Sequence, residues 1–157
     1  MAVSLDSDVD VLGRIPFFEG FSDEHLKLIA FSAESRSLPE KLLLYDEGQL
    51  LHSAYVVVSG KLRGQRKAQD GESTSDREIE PGMMLAERAL VLDVRADEAV
   101  RVESRARVLQ IRKVMFRRML QEYPEIARIL RTRLTRSVLQ AAADFGAVGE
   151  RLRALGA

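Results

Sequence analysis

The feature that most limits what this chain can fold into is a change of hydrophobic period, made twice. Apolar side chains recur at helical spacing over residues 22–30, break into short runs with Gly-marked turns over 42–111, and return to helical spacing from Lys113. In the first stretch Leu26, Ile29 and Ala30 follow Ser22-Asp23-Glu24. Ser22 is placed to cap a helix of about three turns, Asp23 and Glu24 suit its positive end, and Phe21 is placed to staple against Leu26.

The middle region reads as strands. Leu42 to Tyr45 forms one, turned by Asp46-Glu47-Gly48, and the β-branched run Ala54 to Val58 forms a second. Ser59-Gly60 is expected to close it in a turn, with Gly60 supplying a positive φ, and Lys61 to Gly64 continues beyond. Residues 67–76 are polar and read as an exposed loop, Pro81-Gly82 as a turn, and Glu87 to Leu92 as a short helix. Glu98 to Val102 and Arg107 to Ile111 alternate with a period of two, as a pair of strands. Val114, Met115, Met119 and Leu120 then fall at helical spacing. Pro124 opens a longer helix whose stripe is Ile126, Ala127, Leu130, Leu134, Val138 and Ala141, with arginines over much of the rest. Many short strands between terminal helices predict a mainly β domain: a double-stranded β-helix, or jelly roll, with an N-terminal helix and C-terminal helices. One domain is expected over residues 12–145, with flexible tails at 1–11 and 146–157.

Composition narrows the chemistry. The 157 residues carry no cysteine, so neither a disulfide framework nor thiolate chemistry is available. His25 and His52 are the only histidines and stand apart, which disfavours a transition-metal centre and with it a metal-bearing cupin. His25 reads as a packed or solvated helix residue. No nucleophile elbow and no phosphate loop of the Gly-x-x-x-x-Gly-Lys type occurs, so the chain is expected not to be an enzyme. The apolar runs are too short to span a bilayer, and the acidic start (Asp6, Asp8, Asp10) does not resemble a secretory leader, so a cytoplasmic location is expected. Formal charge is zero but uneven. Residues 1–100 hold 11 Lys/Arg against 19 Asp/Glu, a net of −8, and residues 101–157 hold 13 against 5, a net of +8. That division fits opposed faces within the fold, or a basic surface that recruits an acidic partner.

The order of these pieces resembles the cyclic nucleotide-binding domain family, the effector half of catabolite-activator-type regulators and the sensor of cyclic-nucleotide-gated channels and kinases. The resemblance runs from Leu12 to Leu134 through Ile15-Pro16-Phe17-Phe18, Leu44 to Gly48, Tyr55 to Leu62, Pro81-Gly82, Ala86-Glu87-Arg88-Ala89-Leu90, Ala99-Val100, Val108-Leu109, Phe116 and Pro124. It implies a phosphate-binding cassette, usually Gly-Glu-x-Ala-Leu followed by Pro-Arg-Ser/Ala-Ala-Thr-Val. In such a cassette helix-start amides and a guanidinium hold the cyclic phosphate while the glutamate accepts from the ribose 2′-hydroxyl.

On that comparison the ligand-binding candidates are Ala86, Glu87, Arg88, Arg95, Ala96 and Asp97. Glu87 stands at the glutamate position, but Ala86 replaces the glycine. An ungapped count from Glu87 to Val100 puts Arg95 at the proline and Ala96 at the arginine, with Asp97 and Glu98 where small residues normally follow. A one-residue shift of the turn would bring Arg95 to the phosphate, and Arg88 is another donor. Two like charges at ~4 Å repel by about 4 kcal/mol at an effective dielectric of 20, so Asp97 and Glu98 oppose a phosphate. A carboxylate is alternatively placed to accept a bond from Arg95 and fill the space itself. The expected function is therefore a non-catalytic regulatory or sensory module with weak or no cyclic nucleotide binding, acting through protein–protein contacts. The alternative is a working cAMP/cGMP sensor domain of a larger regulator, transporter or channel. No cofactor beyond a cyclic nucleotide is implied. Too few residues follow Phe145 for a helix-turn-helix domain, so no DNA-binding domain is expected in this chain. The stripe Leu130, Leu134, Val138, Ala141 is the candidate surface for self-association as a dimer, or for another protein partner.

Overall fold

The β-branched run after Ser53 does not stop where the sequence suggests. In the computed structural model, which describes residues 5–67 and 74–133, it continues as a strand of 15 residues, β4 (Ser53–Lys67). Ahead of it lie β1 (Glu34–Leu38), β2 (Leu43–Tyr45) and β3 (Leu50–Leu51). After it come β5 (Thr74–Ile79), β6 (Met84–Leu85), β7 (Val94–Arg95) and β8 (Ala99–Arg112). All pairings are antiparallel. One sheet runs β1-β8-β4-β5, with β2 also on β8 and β6 on β4, and β3 pairs β7 in a two-stranded sheet. The protein is mainly antiparallel β with flanking helices, as expected.

The long pair β4–β8 is the spine, and Gly60 is the reason it can be long. The expected turn at Ser59-Gly60 is a bulge instead: the register against β8 shifts between Val57 and Ser59 and again between Ser59 and Lys61. Gly60 has φ +83, as its residue type suggested, and a Cβ there would fall 2.3 Å from the Arg105 carbonyl oxygen. The bulge lets one strand bend and keep pairing, where a hairpin would have ended it. The predicted pair of strands 98–102 and 107–111 is likewise one strand, β8. The polar 67–76 loop is narrower than expected, because β4 reaches Lys67 and β5 begins at Thr74. The inward faces bury Leu38, Leu62, Ile79, Leu85, Val100 and Val108 in one cluster.

Helices flank the strands. α1 (Leu5–Gly13) occupies residues expected to be a flexible tail; Leu12 is fully buried and Asp8 accepts from Arg107 Nη2 at 2.8 Å. A 3-10 turn at Pro16–Phe18 leads to α2 (Asp23–Ser32), whose Ser22 cap is present: its hydroxyl accepts from the His25 amide and His25 Nδ1 accepts from the Ser22 amide, each at 3.2 Å. His25 is thus a capping residue. Phe21 meets Phe18 and His25 edge-on, with ring centres 5.5 and 6.2 Å away. α3 (Lys113–Glu122) follows β8 directly. The chain forms two compact units, residues 1–119 and 120–157. In the second, residues 124–133 are helical from Pro124 on, with Ile126 and Leu130 buried. Leu134, Val138 and Ala141 lie outside the described residues.

Two glycines with the same backbone angle separate strain from clash. Gly48 also has φ +83 but has nothing within 4 Å of a would-be Cβ. Chemical denaturation should show Gly48→Ala costing about 1 kcal/mol, the left-handed penalty alone. Gly60→Ala should cost about 2 kcal/mol or more, because backbone atoms must also move. Equal losses would mean that the bulge tolerates a side chain.

Candidate functional site

The chain between β6 and β8 folds over one end of the strands as a wall. After Leu85 the backbone turns at Ala86 into a 3-10 helix, Glu87–Leu90. Ala86 has φ 60 and ψ 35, the left-handed region that disfavours any residue with a Cβ. The first bond of this turn runs from the Ala89 amide to the Ala86 carbonyl at 2.9 Å, and Ala89 and Leu90 are fully buried. The wall then returns through β7 and along β3 and its flank: the Ala96 amide donates to Gln49 O at 2.8 Å and the Gly48 amide to Ala96 O at 2.7 Å.

Behind this wall lies a cavity of about 420 Å³. All six sequence candidates line it: Ala86, Glu87, Arg88, Arg95, Ala96 and Asp97. With them stand Tyr45, Leu51, Arg77, Met84, Val94 and Glu98. The segment beginning at Glu87 therefore faces a cavity. What the lining groups do differs from what the candidates suggested.

Glu98 dominates the interior. It occupies an inward position between Ala96 and Val100, and only 8% of it is exposed. Its carboxylate does not pair with Arg95. Both of its oxygens accept from Arg77 Nε at 3.0 Å, and Arg77 Nη2 also donates to Oε1. This fork-on-carboxylate geometry is the strong form of an arginine–acid pair. Arg77 comes from β5 opposite Gly64 of β4, and Gly64 makes the room: a Cβ there would lie 2.3 Å from Glu98 Oε2. The remaining candidates are committed elsewhere. Arg95 Nη1 donates to Gly48 O at 3.0 Å, and Asp97 accepts from Arg66 Nη2 at 2.6 Å while its carbonyl accepts from Arg66 Nε at 3.0 Å. Ala96, at the family's arginine position, is buried and brings no charge. Among the described residues, only Glu87 and Arg88 of the charged lining groups have no hydrogen-bond or ion-pair partner.

Arg77 and Tyr45 were missed by the sequence reading. The signal for Arg77 was present in part: an acidic residue on the inward row of an alternating strand requires a cationic partner within reach. Which arginine supplies it depends on strand register, and the polar stretch 67–76 just before Arg77 reads as loop. Tyr45 is buried, and burial together with the negative charge of Glu98 pushes its phenol well above the ordinary value of 10.0. Burial raises Tyr55 as well. The wall is tied off beyond the cavity by Lys113, whose side chain is 8% exposed and donates to Leu92 O at 3.0 Å and to the Asp93 carboxylate. That ammonium, hydrogen-bonded to Asp93, holds its carboxyl below the usual range.

Comparison with known proteins identifies the fold. The sequence model of the cyclic nucleotide-binding domain matches residues 35–123, more than half of the chain. A cyclic nucleotide-binding-like protein from Brucella abortus is 33% identical, with 74% of this chain and 99% of that one covered and a TM-score of 0.67. The N-terminal domain of a transcriptional regulator from Streptomyces coelicolor, 23% identical, shares the fold at a TM-score of 0.79 over 87% of this chain and 95% of its own. The regulatory domain of Toxoplasma gondii PKA, whose structure was determined with cAMP, shares it at 14% identity and a TM-score of 0.67, over 83% and 49% of the two chains. No curated protein matches the sequence. The chain belongs to the cyclic nucleotide-binding domain family.

Two measurements check the site. Ala86→Gly should raise stability by about 0.5–1 kcal/mol in denaturant titration, because glycine adopts this backbone without a steric penalty; a loss would place Ala86 outside the left-handed region. In alkaline absorbance titration Tyr45 should ionise well after an exposed tyrosine. Since the folded protein binds that proton more tightly than the unfolded chain, stability should fall as pH rises above 10.0. Glu98→Ala should bring the Tyr45 transition down without returning it to the ordinary value, as burial remains.

Proposed function

We propose that this domain is a non-catalytic regulatory module that keeps the cyclic nucleotide-binding fold, binds cyclic nucleotides weakly or not at all, and acts through protein–protein contacts. The observation that carries this reading is the Arg77–Glu98 pair inside the cavity. An anionic ligand needs cations that are free to meet it. Here one guanidinium is closed on an internal carboxylate, a second is bonded to the chain at Gly48, and the family's arginine position holds Ala96. To bind, a phosphate must either displace Glu98 or lie beside it, and both oppose binding. Among the described residues that line the cavity, no free acid stands opposite a free base in the way hydrolysis would need. The surface part of the proposal is supported by large apolar side chains left in water: Phe31 is 80% exposed, Val114 69% and Leu92 53%. Among the described residues no helix is long and apolar enough to cross a membrane.

A cAMP or cGMP sensor is the second reading, favoured by Glu87 and Arg88, which remain unpartnered at the cavity. Calorimetric titration separates the two. The parent protein should give no saturable heat with either cyclic nucleotide in the micromolar range, and micromolar or tighter binding overturns the proposal. Ala96→Arg combined with Glu98→Ala supplies a cation at the family's position and frees Arg77. That variant should gain cyclic nucleotide affinity by about a hundredfold, from two new charge-assisted contacts.

A further inference from the structure

Where β4 and β5 run past the Arg77–Glu98 pair, a second recess of about 250 Å³ holds a hydroxyl among charges. Ser75 of β5 stands directly across the ladder from Arg66 of β4, and Arg77 is two residues along β5 on the same face. Side chains in such positions start from Cβ atoms about 5 Å apart across the ladder. Ser75 is exposed, and among the described residues its hydroxyl has no hydrogen-bond partner. The two guanidiniums beside it are each engaged on one side only. Arg66 donates from Nε and Nη2 to Asp97, and Arg77 donates from Nε and Nη2 to Glu98. Nη1 of both is left without an acceptor among the described residues. A hydroxyl flanked by spare guanidinium donors is a place where a phosphoryl group, once attached, would be held.

We propose that Ser75 is a phosphorylation site whose phosphate is received by Arg66 and Arg77, so that modification unfastens Asp97 from Arg66 and loosens that end of the cavity wall. In the step itself the γ-phosphoryl group of ATP passes to Ser75 Oγ, the hydroxyl proton goes to the base of a separate kinase, and ADP leaves. β5 suits such an enzyme, because it is already extended and among the described residues pairs only with β4. The two receiving arginines respond differently. The Arg66 and Asp97 side chains are 53% and 77% exposed, and an ion pair in water contributes little. A phosphoserine brings nearly two negative charges and three acceptor oxygens, so Arg66 turns from Asp97 to the phosphate. Glu98 is buried and does not give up its guanidinium, so Arg77 adds only the free Nη1. Asp97, released, turns to water, which also relieves its repulsion by the new anion. None of this depends on whether the larger cavity binds a cyclic nucleotide.

The test has two arms, both on the intact chain. In the first, the purified protein is incubated with ATP and an extract of the cells that naturally produce it, and phosphopeptides are mapped by mass spectrometry. Phosphate should appear on Ser75 and be lost from that peptide in Ser75→Ala; no phosphate at Ser75 overturns the proposal. In the second, phosphoserine is incorporated at position 75 during synthesis and followed by phosphorus-31 NMR against pH. Two guanidinium contacts should bring its second ionisation about one unit below the usual value of about 6, and Arg66→Gln should return most of that shift. Hydrogen exchange of the Ala96 amide, which is bonded to Gln49 O, should quicken by about tenfold relative to the unmodified chain as the wall loosens. An ionisation at the usual value, or one indifferent to Arg66→Gln, shows that the arginines do not receive the phosphate and overturns the proposal. Unchanged exchange at Ala96 overturns it as well, since the phosphate would then leave the wall as it is.

Discussion

A carboxylate on the inward row of a β-domain has to be answered by a cation, and much of the site in this protein follows from that need at Glu98. The side chain is 8% exposed, between neighbours that are packed into the interior. An isolated charge at such a position would shift its protonation or break the packing. Arg77 answers it with a fork of donors, and the pairing of β4 with β5 delivers that arginine to the right place. Gly64, directly across from Arg77, leaves the space that the carboxylate fills. Three strands therefore cooperate in one contact: β8 begins beside the acid, β5 brings the base, and β4 withdraws its side chain.

The same spine that positions this pair depends on a different accommodation further along. β8 pairs with β1, β2 and β4, and β4 with β5, β6 and β8. The register of this long pair shifts at the Gly60 bulge, close to the Arg105 backbone, and pairing continues beyond it. Gly60 and Gly64 stand four residues apart on one strand and serve separate ends. One keeps the ladder continuous, and the other opens the cavity to an internal acid.

The architecture was legible because its signals are periodic. Ser22 with Leu26 and Ile29 marked α2, the Tyr55–Val57 run marked β4, and Pro124 marked the start of the last described helix. The structure brings all six candidate residues to one cavity. Errors arose where a local rule was overridden by pairing. Ser59-Gly60 has turn composition, yet the left-handed glycine serves a bulge. Residues 74–76 look like loop, yet β5 pairs them with β4. Asp8 lies in an acidic start that reads as tail, yet Arg107, almost a hundred residues away, holds it. The choice of Arg77 over Arg95 as the partner of Glu98 belongs to the same class. Sequence showed that a carboxylate stood in the cassette, while only strand register shows which guanidinium reaches it.

These contacts also bear on whether the cavity wall is built to respond or to stay put. A sensor wall that moves on binding needs few internal bonds to break. Here the side of the wall from Val94 to Ala96 is bonded along β3 and Gly48, and its exit at Leu92 and Asp93 is held by the buried Lys113 at the head of α3. Asp97 is fastened to Arg66, and Glu98 to Arg77. Each of these bonds is modest in net energy, but they share one short segment, so opening it means breaking several together. The segment from Ala86 to Arg88 is the exception. It stores backbone strain at Ala86, and its two charged side chains are exposed and bonded to no other protein group among the described residues, so it can be engaged without breaking an internal contact. A ligand that engages this segment can satisfy Glu87 without disturbing the Arg77–Glu98 pair, whereas one that needs Arg77 must first undo the contact that makes Glu98 tolerable in the interior.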